Sequence, residues 1–183
     1  VEISIVKLLH KKGGKSEYAT KQNPSLNVAV LVCSDSVSAG KKKDSAGEII
    51  TEKLEKLGLT ISNYDILPDE IRDIQNSVNK LCNKKIDLII LTGGTGLSKR
   101  DVTPEAILPL IDRRIPGIEE AIRSYGQERT PFAMLSRSVV GFKGETLLMA
   151  LPGSTNGAAE SIDAVFPSVL HLFQLLNGFD HGK

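Results

Sequence analysis

The sequence predicts an α/β protein built on a mostly parallel sheet with helices on both faces. Apolar or β-branched runs of strand length (Asn27–Cys33, Leu59–Leu67, Ile86–Leu91) alternate with stretches of helical periodicity. Asn27–Cys33 is nearly continuous rather than alternating, as expected of a central strand covered on both faces, and Ile86–Leu91 reads as a buried strand. Each run leads into a loop rich in Ser, Asp, Gly or Pro, the pattern found at the carboxyl edge of an open parallel sheet. Size and composition agree: 183 residues can bury a sizeable core, and 40% hydrophobic with 25% charged residues is ordinary globular composition.

The elements follow in order. Val1 to Leu9 reads as a short strand ending in basic residues. Gly13-Gly14-Lys15-Ser16 and Asn23-Pro24-Ser25 then read as a linker. Residues 1–25 are therefore set apart from a main domain expected over 26–183. Asn27–Cys33 is a central strand. Ile49, Ile50, Leu54 and Leu57 space a helix over Ala46–Leu57 that stops at Gly58. Leu59–Leu67 is a second strand, and Pro68-Asp69-Glu70 opens a helix carrying Ile71, Ile74, Val78 and Leu81 on one face. Ile86–Leu91 runs straight into Thr92-Gly93-Gly94-Thr95-Gly96. Pro104 suits the first turn of a short helix. Pro116-Gly117 breaks the chain, and a helix is expected over Ile118–Gln127. Arg137–Phe142 and Thr146–Leu151 form a β-hairpin around Lys143-Gly144-Glu145. One or two helices close the chain between about 158 and 176.

Several function classes find little support. A net charge of +1 does not advertise a nucleic-acid face. Lys41-Lys42-Lys43 reads as a solvated loop. No apolar run reaches membrane-spanning length and no signal peptide is visible, so a cytoplasmic protein is expected. Cys33 and Cys82 lie in apolar stretches as small hydrophobes. His10, His171 and His181 are too scattered for a zinc site or a histidine-dependent triad.

The chemistry is expected where the strand-end loops converge. Thr92–Gly96 is neither a GxxxxGK[ST] nor a GxGxxG motif. Its glycines can nonetheless present N–H groups to an anion, with Arg100 pairing to phosphate oxygens. A plain glycine-rich turn is the alternative. Asp69 and Asp101 beside that loop suit Mg²⁺, a hard cation that bridges to polyphosphate; equally, each could cap the helix that follows it. Asp35 could be a turn residue bonding its own backbone. Ser34, Ser36 and Ser154 offer hydroxyls that loop chemistry alone would explain. Arg123 and Arg137 read as surface ion-pair partners.

TGGTGLSKRDVTPEA (92–106) resembles the signature of the Mog/MoaB family, shared with the gephyrin and plant Cnx G domains. LVCSDSVSAGKKKDSAG (31–47), LPDE (67–70), IPGIEEAIR (115–123), LSR (135–137) and LPGS (151–154) occur in family order, so the resemblance covers about residues 26–176. It implies a three-layer α/β/α sandwich with a small hairpin, assembled as a homotrimer. It also implies Mg²⁺-ATP-dependent adenylylation of molybdopterin, giving adenylyl-molybdopterin and pyrophosphate, with hand-off to a molybdenum-insertion protein. The motif matches make Asp69 and Asp101 the catalytic and metal-aligning residues. Ser34, Asp35, Ser36, Gly93, Gly94, Thr95, Gly96, Arg100, Pro152, Gly153 and Ser154 become pterin and nucleotide contacts. One departure is Asn156, where the family usually carries the lysine of LPGSPKA. VEISIVKLLHKKGGKS (1–16) resembles the end of the MoaC family, which implies a MoaC–MoaB fusion. A non-catalytic molybdopterin-binding module and a competence-damage-inducible-type hydrolase domain are the competing readings.

Overall fold

The computed structural model describes residues 26–176, so the MoaC-like segment and its linker lie outside the described residues. From Leu26 to Phe166 these residues form one compact unit; those from Pro167 onward belong to a second. In the first unit, β1 (Asn27–Cys33), β2 (Thr60–Leu67), β3 (Leu88–Thr92), β4 (Arg113–Arg114), β5 (Val139–Lys143) and β6 (Thr146–Leu151) build one sheet, in the order β2-β1-β3-β6-β5-β4. The pairs β1/β2, β1/β3 and β3/β6 are parallel, and β5/β6 and β4/β5 antiparallel. This is the expected mostly parallel α/β architecture, with the hairpin adding an antiparallel flank.

Helices cover both faces. Side chains alternate across a strand, and Ala29, Leu31 and Cys33 of β1 pack with Ile89, Leu91, Leu148 and Ala150. Ile74, Val78 and Leu81 of α3 (Ile71–Asn83) and Ala106 and Ile107 of α4 (Thr103–Ile107) lie over that face. The intervening residues Val28, Val30 and Val32 are also fully or almost fully buried. On their side α2 (Ala46–Lys56) packs on β1 and against α6 (Thr155–Val165), which meets α5 (Pro116–Gln127). In the second unit a short 3₁₀ turn leads into α7 (His171–Leu176), with Phe173 buried and Leu175 and Leu176 exposed. Among the described residues no helix is long and apolar enough to cross a membrane.

Local differences from the sequence expectation have local causes. Asp35–Ser38 forms a single helical turn, α1, because the Ser34 hydroxyl accepts the Val37 N–H (3.4 Å) as an N-cap. Pro116 does not break the chain; it begins α5, where its missing N–H is harmless. The two-residue strand β4 is too short for a periodicity signal and forms by pairing with Gly141 and Phe142.

Candidate active site

The parallel strands bring four carboxyl ends to one edge of the sheet, and backbone bonds stitch their loops together. Ser34 N–H donates to Leu67 O (2.9 Å), and Gly93 N–H to Leu151 O (3.1 Å). The Thr92 hydroxyl donates to Pro152 O at 2.8 Å. The loops come so close that a Cβ on Gly153 would sit 2.8 Å from Gly93 Cα, and Gly93 itself adopts φ +99° against the Cys33 carbonyl. Only glycine fits such positions.

Between these loops lies a cavity of about 160 Å³, lined by Ser34, Asp69, Gly93, Gly94, Asp101 and Gly153 of the sequence-predicted set. Asp35 and Asp69 clasp each other: Asp35 N–H donates to Asp69 Oδ2 (2.9 Å) and Asp69 N–H to Asp35 Oδ1 (3.0 Å). Asp69 Oδ1 is buried and, among the described residues, has no hydrogen-bond partner, and a Cβ at Gly94 would stand 3.0 Å from it. Burial raises the Asp69 pKa, and the nearby negative charges of Asp35 and Asp101 add to the effect. Asp101 Oδ2 accepts the Ser98 N–H (2.7 Å), closing the 98–101 turn. Neither aspartate caps a helix. The N-cap positions of α3 and α4 are Glu70 and Val102, and neither makes a side-chain cap bond.

The remaining predicted residues are distributed around this centre. Arg100 is paired within the chain, its Nε and Nη2 reaching Asp35 Oδ2 (2.9 and 2.7 Å) and Nη2 reaching Glu70 Oε1 (3.1 Å). This pairing holds the Asp35 carboxyl below the ordinary range. Ser36 Oγ lies 3.1 Å from Ser34 Oγ. Pro152 and Ser154 line a neighbouring cavity of about 450 Å³ that also contains Arg123, Arg129, Phe132 and Asn156. Ser154 caps α6 by accepting the Gly157 N–H at 3.2 Å.

Arg137, read from sequence as a surface ion-pair partner, makes such a pair with Glu105 and is also built into the loop. Its backbone N–H donates to Thr95 O (2.9 Å), its Nε to Gly96 O (2.7 Å) and its Nη2 to Asp101 O (2.7 Å), while Nη1 pairs with Glu105. One planar guanidinium thus spans both ends of the turn that carries Asp101, which a single ammonium point could not do. The sequence also missed that Lys42, Lys43, Asp44 and Ser45 line the aspartate cavity. The signals available were their position between Gly40 and the start of α2 and their place in the family-matching segment 31–47. Cys33 is buried against this site with its thiol pushed up to about 12 by burial, an inert small hydrophobe as expected.

Among the described residues no three His, Cys, Asp or Glu side chains cluster as a metal cage. A pair of carboxylates beside a phosphate site is nonetheless the usual protein share of a Mg²⁺ site, with phosphate oxygens and water completing the shell. An unpartnered buried carboxylate oxygen next to a second aspartate fits such an ion.

Residues 29–171 match the family described as "Probable molybdopterin binding domain". The chain belongs to this molybdopterin-binding family. A molybdopterin adenylyltransferase of Helicobacter pylori is 34% identical over 157 residues, covering 84% of this chain and 89% of that protein. A molybdenum cofactor biosynthesis bifunctional protein of Chlorobaculum tepidum is 39% identical over 181 residues, 99% of this chain but only 57% of that protein. The chain thus spans little more than half of this longer relative. Of solved structures in the family, the molybdopterin biosynthesis enzyme MoaB of Thermus thermophilus is similar with a TM-score of 0.79 at 39% identity, covering 84% of this chain and 98% of that one.

Proposed function

We propose that this chain adenylylates molybdopterin in molybdenum cofactor biosynthesis, using ATP with Mg²⁺ and releasing pyrophosphate. The observation that carries the reading is the unpartnered Asp69 Oδ1, buried beside Asp101 and the glycine loop where four strand ends converge. A buried anionic oxygen without a donor is unfavourable by itself, so its natural counterpart is a bound cation. Mg²⁺ held by Asp69 and Asp101 would neutralise charge on the transferring phosphate.

The protein's own share is positioning. Gly93 and Gly94 keep side chains out of the way so that backbone can approach a phosphate. Arg137 holds the Asp101 turn in place, and the Asp35–Asp69 clasp fixes Asp69 relative to the end of β1. An oxygen of the pterin's terminal phosphate attacks the α-phosphorus of ATP; the bond from that phosphorus to the bridging β-oxygen breaks and pyrophosphate leaves. The nucleophile is already an anion, so no side chain has to accept a proton. Ser34, Ser36, Ser154, Pro152, Gly153 and the 93–96 loop contribute pterin and nucleotide contacts, and Arg100 becomes a phosphate contact if it leaves Asp35 and Glu70.

The reading places the protein in the cytoplasm, where ATP is available, with its product passed to a molybdenum-insertion protein. It works as a homotrimer. The exposed apolar run Phe132, Met134 and Leu135 (72%, 61% and 49% exposed) supports a self-association surface. Residues 1–25 are the end of an upstream MoaC-like domain plus linker, and 26–183 the Mog/MoaB-like domain. The bifunctional relative, whose match runs through the first segment, supports this division.

ATP-dependent pyrophosphate release in the presence of molybdopterin and Mg²⁺ tests the reading. Asp69→Ala and Asp101→Ala are each expected to lower the rate roughly 10²–10³-fold, the scale for losing one preorganised electrostatic contact. Wild-type protein that binds molybdopterin but releases no pyrophosphate would instead be a binding module.

A further inference from the structure

The aspartate cavity has an electrostatic problem. Asp44, Asp69 and Asp101 all line it, and a phosphate entering among carboxylates is repelled unless a cation answers it. Two candidate cations are already committed within the chain. Arg100 pairs with Asp35 and Glu70 at the rim, and Lys43 Nζ pairs with Glu48 Oε2 at 2.9 Å. Lys42 lines the same cavity, and its side chain makes no hydrogen bond or ion pair among the described residues.

The strap that carries Lys42 is anchored on both sides. Before it, Gly40 N–H donates to Val37 O (2.9 Å), and the N–H groups of Lys41 and Lys42 donate to Ser36 O (2.9 and 3.1 Å). After it, Asp44 Oδ1 accepts the Gly47 N–H (2.9 Å) and Asp44 Oδ2 accepts the Tyr64 hydroxyl, while Ser45 Oγ lies 2.6 Å from Thr155 Oγ1. These bonds fix the backbone on either side of Lys42, which lines the same cavity as Gly93 and Gly94. A lysine held at its root keeps a mobile ammonium within reach of one place, which suits a phosphate contact.

We propose that Lys42 is a phosphate-binding residue of this site, its ammonium pairing with a phosphoryl group held against Gly93 and Gly94. The assignment rests on the transferase reading for the identity of the substrates. The group belongs either to the polyphosphate of the nucleotide or to the phosphomonoester of the pterin.

The test is calorimetric titration of the full chain with Mg²⁺-ATP, with inorganic pyrophosphate and with molybdopterin in separate experiments. Wild type is compared with Lys42→Ala, Lys42→Arg and Lys41→Ala, the last on the same strap but off the cavity wall. Lys42→Ala is expected to weaken at least one ligand about tenfold, the scale of a lost charge-assisted bond. Lys42→Arg should recover most of the loss, and the difference should shrink with added salt. Weakening of ATP and pyrophosphate assigns the nucleotide's phosphates, and weakening of molybdopterin alone assigns the pterin's. Affinities of Lys42→Ala within about twofold of wild type for all three ligands, or an equal loss in Lys41→Ala, would overturn the proposal. Intact Lys42-dependent binding without pyrophosphate release would sink the transferase reading and leave the phosphate site standing.

Discussion

Asp69 is held in surroundings that favour its neutral form, because burial and two neighbouring carboxylates raise its pKa above the ordinary carboxylate value. Folding therefore favours the protonated acid: that contribution is fully present below the unfolded pKa and is lost as pH rises through the folded value. At neutral pH the ionised side chain weakens the ligand-free fold. Asp69→Asn, which removes the charge, is expected to melt higher than wild type at neutral pH, with the gap closing as pH falls toward the carboxylate range, while pyrophosphate release is lost. Thermal melts across that range check it; equal melting temperatures at neutral pH would remove the argument. Arg137 makes a different demand, since two carbonyls at opposite ends of one turn need a forked donor. Arg137→Ala and Arg137→Lys should both speed amide exchange of Ser98 and Asp101, by about tenfold or more, with the protein still folded. Unchanged protection in the lysine variant would mean that charge alone holds the loop.

At the scale of elements, the antiparallel flank depends on one buried carboxylate. Glu119, only 1% exposed, projects from the first turn of α5. It accepts the Val140 N–H of β5 (3.0 Å), and Arg114 of β4 reaches its two oxygens from Nε and Nη2 (2.9 Å each). Glu119→Ala strands a buried N–H, whereas Arg114, half exposed, can return to water. The expected loss is about 2 kcal/mol, nearer the value for an unmet donor than for a fully buried ion pair. Glu119→Gln, which keeps an acceptor for Val140, should lose less. Urea denaturation midpoints measure both, and an unshifted midpoint for Glu119→Ala would show that the flank is held by strand pairing alone. In sequence Glu119 is distinguished by nothing beyond its place in IPGIEEAIR; its partner Arg114 belongs to β4, an element of two residues that no periodicity can announce.

For the molecule as a whole, the homotrimer proposed from the family resemblance predicts sedimentation as three chains of 19.8 kDa each, with the exposed run Phe132, Met134 and Leu135 as the proposed contact. Phe132→Glu combined with Met134→Glu should yield monomers. A wild-type monomer at micromolar concentration, or a trimer indifferent to both changes, would refute that surface. The fold class and the order of its longer elements were legible in the linear chain. Strand-length apolar runs, helical spacing and loop composition are local properties, and each survives folding unchanged. The long RDVTPEA-containing run likewise carries the family resemblance on which the proposed role of Asp101 rests. Which polar groups remain without partners was settled in three dimensions alone. Among the described residues Asp69 Oδ1 is an orphan, Arg100 is occupied and Lys42 is uncommitted because residues 30 to 65 positions apart meet in space. Arg137 became a clamp as well as an ion-pair partner for the same reason. Hydrogen bonding saturates pair by pair in space, and no one-dimensional pattern records which partners have already been taken.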